Sequence, residues 1–237
     1  MIAIKKGEQG PDILNIKRQI NLVGQFLSPV IALTEAPIFD QEMEKAIIQI
    51  QTFYGLAADG VVGPRTKSLL ARLAFICRLM EPALALEITT GIPAVTTLVQ
   101  AAHESNFGRG VLAKANNLFG VKWHGQGRFI EVDTWEQIAG RRRAMRAKFK
   151  VYDSIADCFQ DRGRLLTNNV FAPALKYQAK PLRYLQALLT ECKYPYATDP
   201  NYLRRCTVLA NELRLEALVD GARRRFLEIP PGAKRAR

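Results

Sequence analysis

A single glutamate at the end of an apolar segment is the residue of this sequence best suited to acid–base chemistry. Apolar side chains precede it at helical spacing, at Val95, Leu98, Val99 and Ala102. This spacing predicts a helix with one buried face, and at 100° per residue Glu104 lies on the opposite face. A glycine-punctuated turn, residues 106–110, follows at once. Because glutamate is mostly exposed in proteins, a solvated side chain is the expectation from composition alone.

Four sequence blocks around and after this glutamate form an ordered pattern. Residues 100–108 read Gln-Ala-Ala-His-Glu-Ser-Asn-Phe-Gly, and residues 116–122 read Asn-Asn-Leu-Phe-Gly-Val-Lys. Residues 147–152 read Ala-Lys-Phe-Lys-Val-Tyr, and residues 196–202 read Tyr-Ala-Thr-Asp-Pro-Asn-Tyr. Together they resemble the glucosaminidase family of peptidoglycan hydrolases, glycoside hydrolase family 73, over about residues 88–215. The resemblance implies a lysozyme-like fold and cleavage of glycosidic bonds in the glycan strand.

The resemblance implies that Glu104 is the general acid. Hydrolysis of a glycosidic bond needs a proton for the leaving oxygen and stabilisation of an oxocarbenium-like sugar. Phe107 and Phe119 flank the glutamate, and we expect them to desolvate its carboxyl and keep it protonated near neutral pH.

A second carboxylate is expected on Glu136. The Thr-x-Glu of the family's β-lobe falls on residues 134–136 when counted back from residue 147. Glu136 would orient a water or stabilise the cation, unless the substrate's N-acetyl group is the nucleophile and Glu136 only assists. An exposed hairpin glutamate beside arginines explains this residue equally well, and Glu131 and Asp133 are the alternative carboxylates.

The fourth block adds a third catalytic residue. Asp199 as N-cap and Pro200 at the first helical position explain most of its sequence structurally. They do not explain Tyr196, and the resemblance suggests that its hydroxyl reaches the cleft near the acid. Trp123 could stack on a sugar face or pack in the core. The expected substrate-binding residues are Phe107, Asn117, Phe119, Trp123 and Tyr202.

The elements that must position these residues are mainly helices. Alternating apolar residues predict two strands, at about 128–134 and 146–151, with Gly140 near the turn between them. Further helices are expected at about 154–168, 181–191 and 200–219. The predicted fold class is mainly α within α+β: an N-terminal three-helix bundle and a lysozyme-like catalytic domain with a small β-hairpin lobe.

The N-terminal segment predicts three helices, at about 13–23, 40–54 and 64–74. Residues 50–66 resemble the peptidoglycan-binding type 1 domain, a three-helix bundle, whereas residues 36–40 depart from that pattern. The resemblance implies wall-binding residues, although Asp-Gly and Gly-Pro also make sound turns in any bundle. The expected wall-binding residues are Asp59, Gly60, Arg65 and Thr66.

The domain boundaries follow from these segments. Residues 1–75 are the predicted peptidoglycan-binding domain, and 76–90 are a linker that lacks serine and glycine and is therefore packed rather than floppy. Residues 91–219 are the predicted catalytic domain, and the arginine- and proline-rich residues 220–237 are a basic, frayed tail.

The net charge of +12 is uneven along the chain. Residues 1–75 carry 8 basic and 7 acidic side chains, whereas residues 76–237 carry 26 and 15. Residues 141–150 alone hold six basic side chains and no acid. Such a field favours an anionic partner, such as peptidoglycan peptides, acidic glycans or anionic lipid headgroups. We expect a monomer without a nucleic-acid partner.

Metal and cofactor sites are not expected. The four cysteines are widely spaced, without a Cys-x-x-Cys pattern, and His103 and His124 have no partner ligands in sequence. The first ten residues lack the apolar core of a secretory signal, and no apolar run approaches a membrane span of about 20 residues. The expectation is a protein made in the cytoplasm that reaches the cell wall through a holin or a secretion system.

These observations favour a modular cell-wall hydrolase similar to phage endolysins, an endo-β-N-acetylglucosaminidase anchored by its N-terminal domain and used for host lysis. Two alternatives stay open. A muramidase or lytic transglycosylase shares the Glu-Ser and Asn-Leu-Phe-Gly layout. A wall or nucleic-acid binder on an inactive lysozyme-like scaffold is the other, and the presence of Glu104 and Tyr196 argues against it.

Overall fold

Three helices form the N-terminal part of the chain: α1 (Pro11–Gly24), α2 (Gln41–Phe53) and α3 (Pro64–Arg78). The computed structural model describes residues 3–138 and 141–228, without the side chains of residues 135–138, 141–143, 227 and 228. All three predicted helices are confirmed, and α3 continues beyond its expected end at residue 74.

Helix α2 begins where the sequence predicts, because Asp40 is its N-cap. The Asp40 carboxylate accepts a hydrogen bond of 2.8 Å from the backbone of Met43 and another from the fully buried Lys17. The cap satisfies a backbone donor that the first turn of a helix leaves free. The predicted inward residues are buried: Met43, Ala46, Ile47 and Ile50.

The segment expected as a linker is almost entirely helical. Helix α3 runs to Arg78, and α4 (Met80–Thr90) begins two residues later. Ala83 and Leu84 of α4 are buried, so this segment is packed, as the absence of serine and glycine suggested. Helix α5 (Ala94–Ser105) then carries the predicted apolar face.

A hairpin of two antiparallel strands, β1 (Phe129–Ile138) and β2 (Arg141–Lys150), is the sheet that the structure describes. Ile130 lies opposite Phe149, and Val132 lies opposite Ala147. The two predicted strands and their period-2 alternation are therefore confirmed. Gly140, the expected turn residue, lies outside the described residues.

The described residues after the hairpin include four α-helices: α6 (Ile155–Leu166), α7 (Pro181–Thr190), α8 (Tyr202–Glu212) and α9 (Leu215–Glu228). A 3-10 helix (Ala172–Tyr177) precedes α7 and was not predicted. The single helix predicted over residues 200–219 is wrong, because the chain breaks at Arg214, whose φ of 46° is left-handed.

Helix α9 also corrects the predicted tail, because residues 220–228 are helical. Its apolar face is buried, at Leu215, Leu218, Val219 and Ala222. A Cβ on Gly221 would lie 2.1 Å from the carbonyl oxygen of Phe26, so only glycine fits this close approach. Residues 229–237 lie outside the described residues.

The described chain groups into two compact units. One contains residues up to Glu81 together with those from Val208 onward, and the other spans Pro82–Thr207. Because the first unit joins both ends of the chain, the functional boundaries at 75, 90 and 219 stay a prediction. No helix within the described ranges has the length and apolar character needed to cross a membrane.

Candidate active site

Glu104 occupies the last turn of α5, and a left-handed turn ends the helix immediately after it. Asn106 and Phe107 have φ values of 49° and 56°, and Gly108 continues at 74°. The Ser105 hydroxyl donates to the carbonyl of Ala101 at 2.6 Å and accepts from the backbone of Gly108 at 2.9 Å. These bonds lock the turn and leave Glu104 exposed, on the face opposite the buried stripe as predicted.

The exposure of Glu104 corrects one expectation. Phe119 is buried and lines the same cleft, and Phe107 is half-buried, but the glutamate itself is exposed. The predicted desolvation of the carboxyl by these two rings is therefore wrong.

A cleft of about 1110 Å³ lies in the unit formed by residues 82–207, and Glu104 is part of its wall. The wall combines the end of α5, the loop after residue 118, both strands of the hairpin, α6 and the segment 196–202. Residues that contribute to it include Glu104, Phe119, Thr134, Asp161, Arg162, Tyr196 and Tyr202. Segments far apart in sequence thus converge on one site, as the ordered blocks suggested.

The direct partner of Glu104 is Tyr202, at the start of α8. The Tyr202 hydroxyl donates a hydrogen bond of 2.7 Å to Oε1 of Glu104 and accepts one of 3.0 Å from Nε2 of Gln100. Burial raises the pKa of Tyr202, and the charge of Glu104 adds to that shift. The phenol is therefore protonated near neutral pH and is a permanent donor to the acid.

Arg162 lies behind this pair and was not identified from the sequence. It is 1% exposed, donates to Oε1 of Gln100, and donates to the Tyr196 hydroxyl at 3.1 Å. Its guanidinium also stacks on Phe119, with 4.3 Å between the guanidinium carbon and the ring centroid. Because arginine is mostly exposed in proteins, the sequence does not indicate that Arg162 is buried beside the cleft.

Tyr196 lines the cleft through a contact different from the expected one. The hydrogen bond to its hydroxyl comes from Arg162, whereas Tyr202 contacts the acid. Burial raises the pKa of Tyr196, the Arg162 charge opposes that shift, and the Glu104 charge reinforces it. Since Arg162 donates to the oxygen, the hydroxyl hydrogen of Tyr196 is available to a group in the cleft.

The backbone of Glu136, the second predicted carboxylate, lies in β1. Glu136 pairs with Arg143 in β1, two positions beyond Thr134, which lines the cleft. The side chains of Trp135 and Glu136 lie outside the described residues. The alternatives Glu131 and Asp133 instead face Arg146, at 3.8 and 3.6 Å.

Asp161 is a cleft carboxylate that sequence reasoning missed. Its Oδ2 accepts from Nζ of Lys150 at 2.8 Å and from the Tyr152 hydroxyl at 2.7 Å. Burial alone would raise its pKa, but these two hydrogen bonds outweigh burial and hold the pKa of Asp161 below its usual value. Asp161 is therefore ionised at neutral pH and neutralised by its partners.

Two expected substrate-binding residues make contacts within the chain. Asn117 is buried, and its amide joins the loop to β2 by bonds of 2.9 Å to the carbonyls of Val121 and Lys150. Trp123 packs on Phe129, with 4.8 Å between ring centroids, and it is absent from the described part of the cleft wall. A contact of either residue with a sugar therefore stays a prediction.

The predicted wall-binding residues lie in the other unit, around the buried Gln51. Nε2 of Gln51 donates to Asp59 Oδ1 at 2.9 Å and to the Thr66 hydroxyl at 3.2 Å, and its Oε1 accepts from the Gly60 backbone at 2.9 Å. Gly60 is left-handed, with φ of 71°. Asp59, Gly60 and Thr66 thus build a turn, whereas Arg65 is exposed.

Comparison with known proteins identifies two families in this chain. A model described as mannosyl-glycoprotein endo-beta-N-acetylglucosaminidase, the glucosaminidase family, matches residues 80–215. A model described as a putative peptidoglycan binding domain matches residues 9–70. Both resemblances seen in the sequence are therefore confirmed.

Three relatives show the extent of the similarity. Peptidoglycan hydrolase FlgJ of Escherichia coli (strain K12) is 34% identical over 148 residues, which are 60% of this chain and 46% of that protein. Exo-glucosaminidase LytG of Bacillus subtilis (strain 168) is 33% identical over 130 residues, 53% of this chain and 45% of that protein. The crystal structure of a peptidoglycan hydrolase mutant from Sphingomonas sp. A1 has a TM-score of 0.51 at 27% identity, covering 64% of this chain and 98% of that one.

This chain spans about half the length of the curated relatives it matches. The family model nevertheless covers more than half of the chain and includes Glu104, Tyr196 and Tyr202. The chain therefore belongs to the glucosaminidase family of glycoside hydrolases, with a peptidoglycan-binding domain at its N-terminus.

Proposed function

We propose that this protein hydrolyses β-1,4 glycosidic bonds of peptidoglycan as an endo-β-N-acetylglucosaminidase. The observation that carries the proposal is the Glu104 carboxyl, which stands exposed in a cleft of about 1110 Å³ with the Tyr202 hydroxyl 2.7 Å from one of its oxygens. Such a carboxyl can reach a glycosidic oxygen and donate a proton to it.

The hydrogen bond from Tyr202 leaves the second oxygen of Glu104 free for the reacting proton. As that proton moves to the leaving oxygen, the carboxyl becomes a carboxylate, and the bond from Tyr202 strengthens because a charged acceptor binds a donor more tightly. The contact thus stabilises the transition state more than the ground state, which is the requirement for catalysis.

The developing cation needs a second group, and Glu136 is our candidate. Its place in β1, two positions beyond the cleft residue Thr134, supports this role. If the acetamido group of the substrate supplies the nucleophile, Glu136 orients it or its water. Tyr196, whose hydroxyl hydrogen is available to the cleft, would donate to the same sugar.

The N-terminal domain is proposed to hold the enzyme on the wall. An insoluble substrate is cleaved faster when a second module raises the local concentration of the enzyme. Because three of the four candidate residues build the turn around Gln51, we assign contact with the wall to the exposed Arg65. The site of action is the cell wall, and lysis of a host cell is the use that we propose.

Mass spectrometry of digested peptidoglycan tests the proposed bond. Purified sacculi are digested by the full chain, and the products are separated and fragmented. We expect reducing N-acetylglucosamine ends. Reducing N-acetylmuramic acid ends would identify a muramidase, anhydro ends would identify a lytic transglycosylase, and the absence of products would leave a binding protein.

A further inference from the structure

Two buried polar side chains behind the acid have no role in the mechanism above. Arg162 is 1% exposed and Gln100 is fully buried. Within the described residues, Arg162 has only neutral hydrogen-bond partners, Gln100 and Tyr196, and its Nε has no partner. A buried cation without a paired carboxylate is costly for stability, so its retention calls for a reason other than stability.

The chemistry of the groups fixes the direction of every hydrogen bond between Arg162 and the acid. A guanidinium has donors only, so Gln100 must turn its oxygen toward Arg162. The Gln100 NH₂ then points at the Tyr202 hydroxyl, 3.0 Å away, and that oxygen must accept. The only hydrogen of the hydroxyl is therefore left for Glu104, at 2.7 Å.

We propose that Arg162 and Gln100 are positioning residues that force the Tyr202 hydroxyl to donate to Oε1 of Glu104, so that Oε2 holds and delivers the catalytic proton. The proposal rests on the function proposed for Glu104. Without this ordering, the Tyr202 hydroxyl could donate to residue 100 instead, and the exposed carboxyl would lose its one described hydrogen-bond donor.

The ordering also favours the chemical step. The series of hydrogen bonds ends on the carboxylate that forms when the proton leaves Glu104. Consecutive hydrogen bonds polarise one another in a low-dielectric interior. The cation at the far end of the chain is fixed in place before the reaction, so no reorganisation is needed as the charge develops. The expected effect is on kcat, with little change in KM.

Two substitutions of Gln100 separate this proposal from a packing role. Gln100→Glu keeps the side-chain size and pairs Arg162 with a carboxylate, but it replaces the NH₂ group that faces Tyr202 with an acceptor oxygen and so turns the hydroxyl away from Glu104. Gln100→Met removes both hydrogen bonds and leaves Arg162 less satisfied, but Tyr202 stays free to donate to Glu104. We therefore expect Gln100→Glu to be the more stable variant and the less active one.

The measurements are melting temperature, kcat and KM on soluble peptidoglycan fragments, with products identified by mass spectrometry. Gln100→Glu should lower kcat about 10- to 100-fold, the effect of losing a hydrogen bond to a charged group, with KM within about twofold. Tyr202→Phe should cause a similar loss, and the double variant Gln100→Glu/Tyr202→Phe should lose no more than either single variant.

Two control variants each remove a buried hydroxyl, and one of them is the same tyrosine-to-phenylalanine change as Tyr202→Phe. Tyr184 is fully buried, and its hydroxyl has no hydrogen-bond partner in the part of the chain that the structure describes, so Tyr184→Phe should keep kcat. Thr97 lies in the same helix as Gln100, is fully buried, and is likewise unpaired among the described residues, so Thr97→Val should also keep kcat.

Three kinetic results would overturn the proposal while leaving the proposed function intact, provided that Glu104→Gln abolishes cleavage. They are wild-type kcat in Gln100→Glu, a larger kcat loss in Gln100→Met than in Gln100→Glu, and losses that multiply in the double variant. A Gln100→Glu protein that melts below Gln100→Met would also contradict it, because Arg162 would then not face residue 100. Retained cleavage by Glu104→Gln would instead overturn the proposed function.

Discussion

The hydroxyl of Tyr202 donates a hydrogen bond of 2.7 Å to Oε1 of Glu104, 98 positions earlier in the chain. Glu104 stands on the last turn of α5, and Tyr202 is the first residue of α8. The acid is thus held by the start of a helix that lies far away in sequence. A tyrosine that the fourth sequence block suggests as a sugar contact is a partner of the acid itself.

Glu104→Gln should abolish cleavage of peptidoglycan and leave the melting temperature nearly unchanged. The amide cannot donate an acidic proton, and loss of acid–base catalysis costs about 10²- to 10⁴-fold in rate. Glu131→Gln is the matched control, because Glu131 is paired with Arg146 and Lys148, at 3.8 and 3.9 Å. We expect this variant to keep its activity. Clearing of a sacculus suspension by a folded Glu104→Gln protein at the wild-type rate would contradict the assignment.

Glu136→Gln should lower the rate less than Glu104→Gln does. The physical reason is that the substrate's acetamido group can do the nucleophilic work, which leaves Glu136 an assisting role. Product formation from soluble fragments measures both variants side by side. An equal, complete loss in both would indicate a mechanism with two essential carboxylates, and an unchanged rate would show that Glu136 takes no part.

The fold was predictable where local chemistry decides the structure. The N-cap at Asp40 and the alternation of residues within each strand are local signals, and both are confirmed. Helix α9 was also within reach of sequence reasoning. Its buried residues recur at i, i+3, i+4 and i+7, at Leu215, Leu218, Val219 and Ala222. The arginines beside them, however, suggest a frayed tail.

The site was predictable only for residues within the family motifs. Gln100 belongs to one of the four sequence blocks, but its pattern predicts only a helix, and Arg162 belongs to none of the blocks. Their contact joins residues 62 positions apart, so no local pattern could indicate it. For Asn117 the sequence identified the position correctly, but it could not tell whether the amide would bind a sugar or the carbonyls of its own chain.

In the N-terminal domain, substitutions at neighbouring residues should have separable effects. Arg65→Ala should weaken binding to purified sacculi without changing stability, because the side chain is exposed in the first turn of α3. Thr66→Val should lower the free energy of unfolding by about 1 kcal/mol, because Nε2 of Gln51 loses a partner at 3.2 Å. Sacculus pull-down and urea unfolding measure the two effects.

Arg18→Ala is the control for that pair, since Arg18 is an exposed arginine of the same domain that pairs with Glu35 at 2.8 Å. It should bind sacculi as the unmodified chain does. Equal weakening by Arg65→Ala and Arg18→Ala would mean that general charge, and not the position of Arg65, attracts the wall.

The stability of the protein should fall in acid partly through Asp161. Hydrogen bonds from Lys150 and Tyr152 outweigh burial and lower its pKa, so the stabilisation is present above the unfolded pKa of about 3.9 and is lost as the pH falls through the lower folded value. Asp161→Asn should therefore melt at a lower temperature than wild type at pH 7, with the difference shrinking below about pH 4. Asp153→Asn, at an exposed carboxylate paired with Arg128, should change the melting temperature little at any pH.

The final prediction concerns the surplus of basic residues after residue 75. We expect it to hold the enzyme to anionic groups of the wall and to take no part in bond cleavage. Exposed charges attract over about a Debye length, ~8–10 Å at physiological salt, and this attraction fades as salt rises. Cleavage of sacculi should therefore slow between low and high salt, whereas cleavage of short neutral glycan fragments should change little.

Deletion of residues 229–237 tests which basic residues attract the enzyme to the wall, and it keeps the packed helix α9 intact. The deletion removes Lys234, Arg235 and Arg237 but leaves Gly221 and Ala222 in their buried positions. It should reduce the salt dependence on sacculi without changing the bond that is cut, since the cleft lies among residues 103–202. If sacculi and short fragments respond equally to salt, with and without these residues, the surplus charge serves solubility alone. If the shortened chain cleaves sacculi with the full salt dependence and short fragments with little, the attraction comes from the six basic residues of 141–150 and the remaining basic surface.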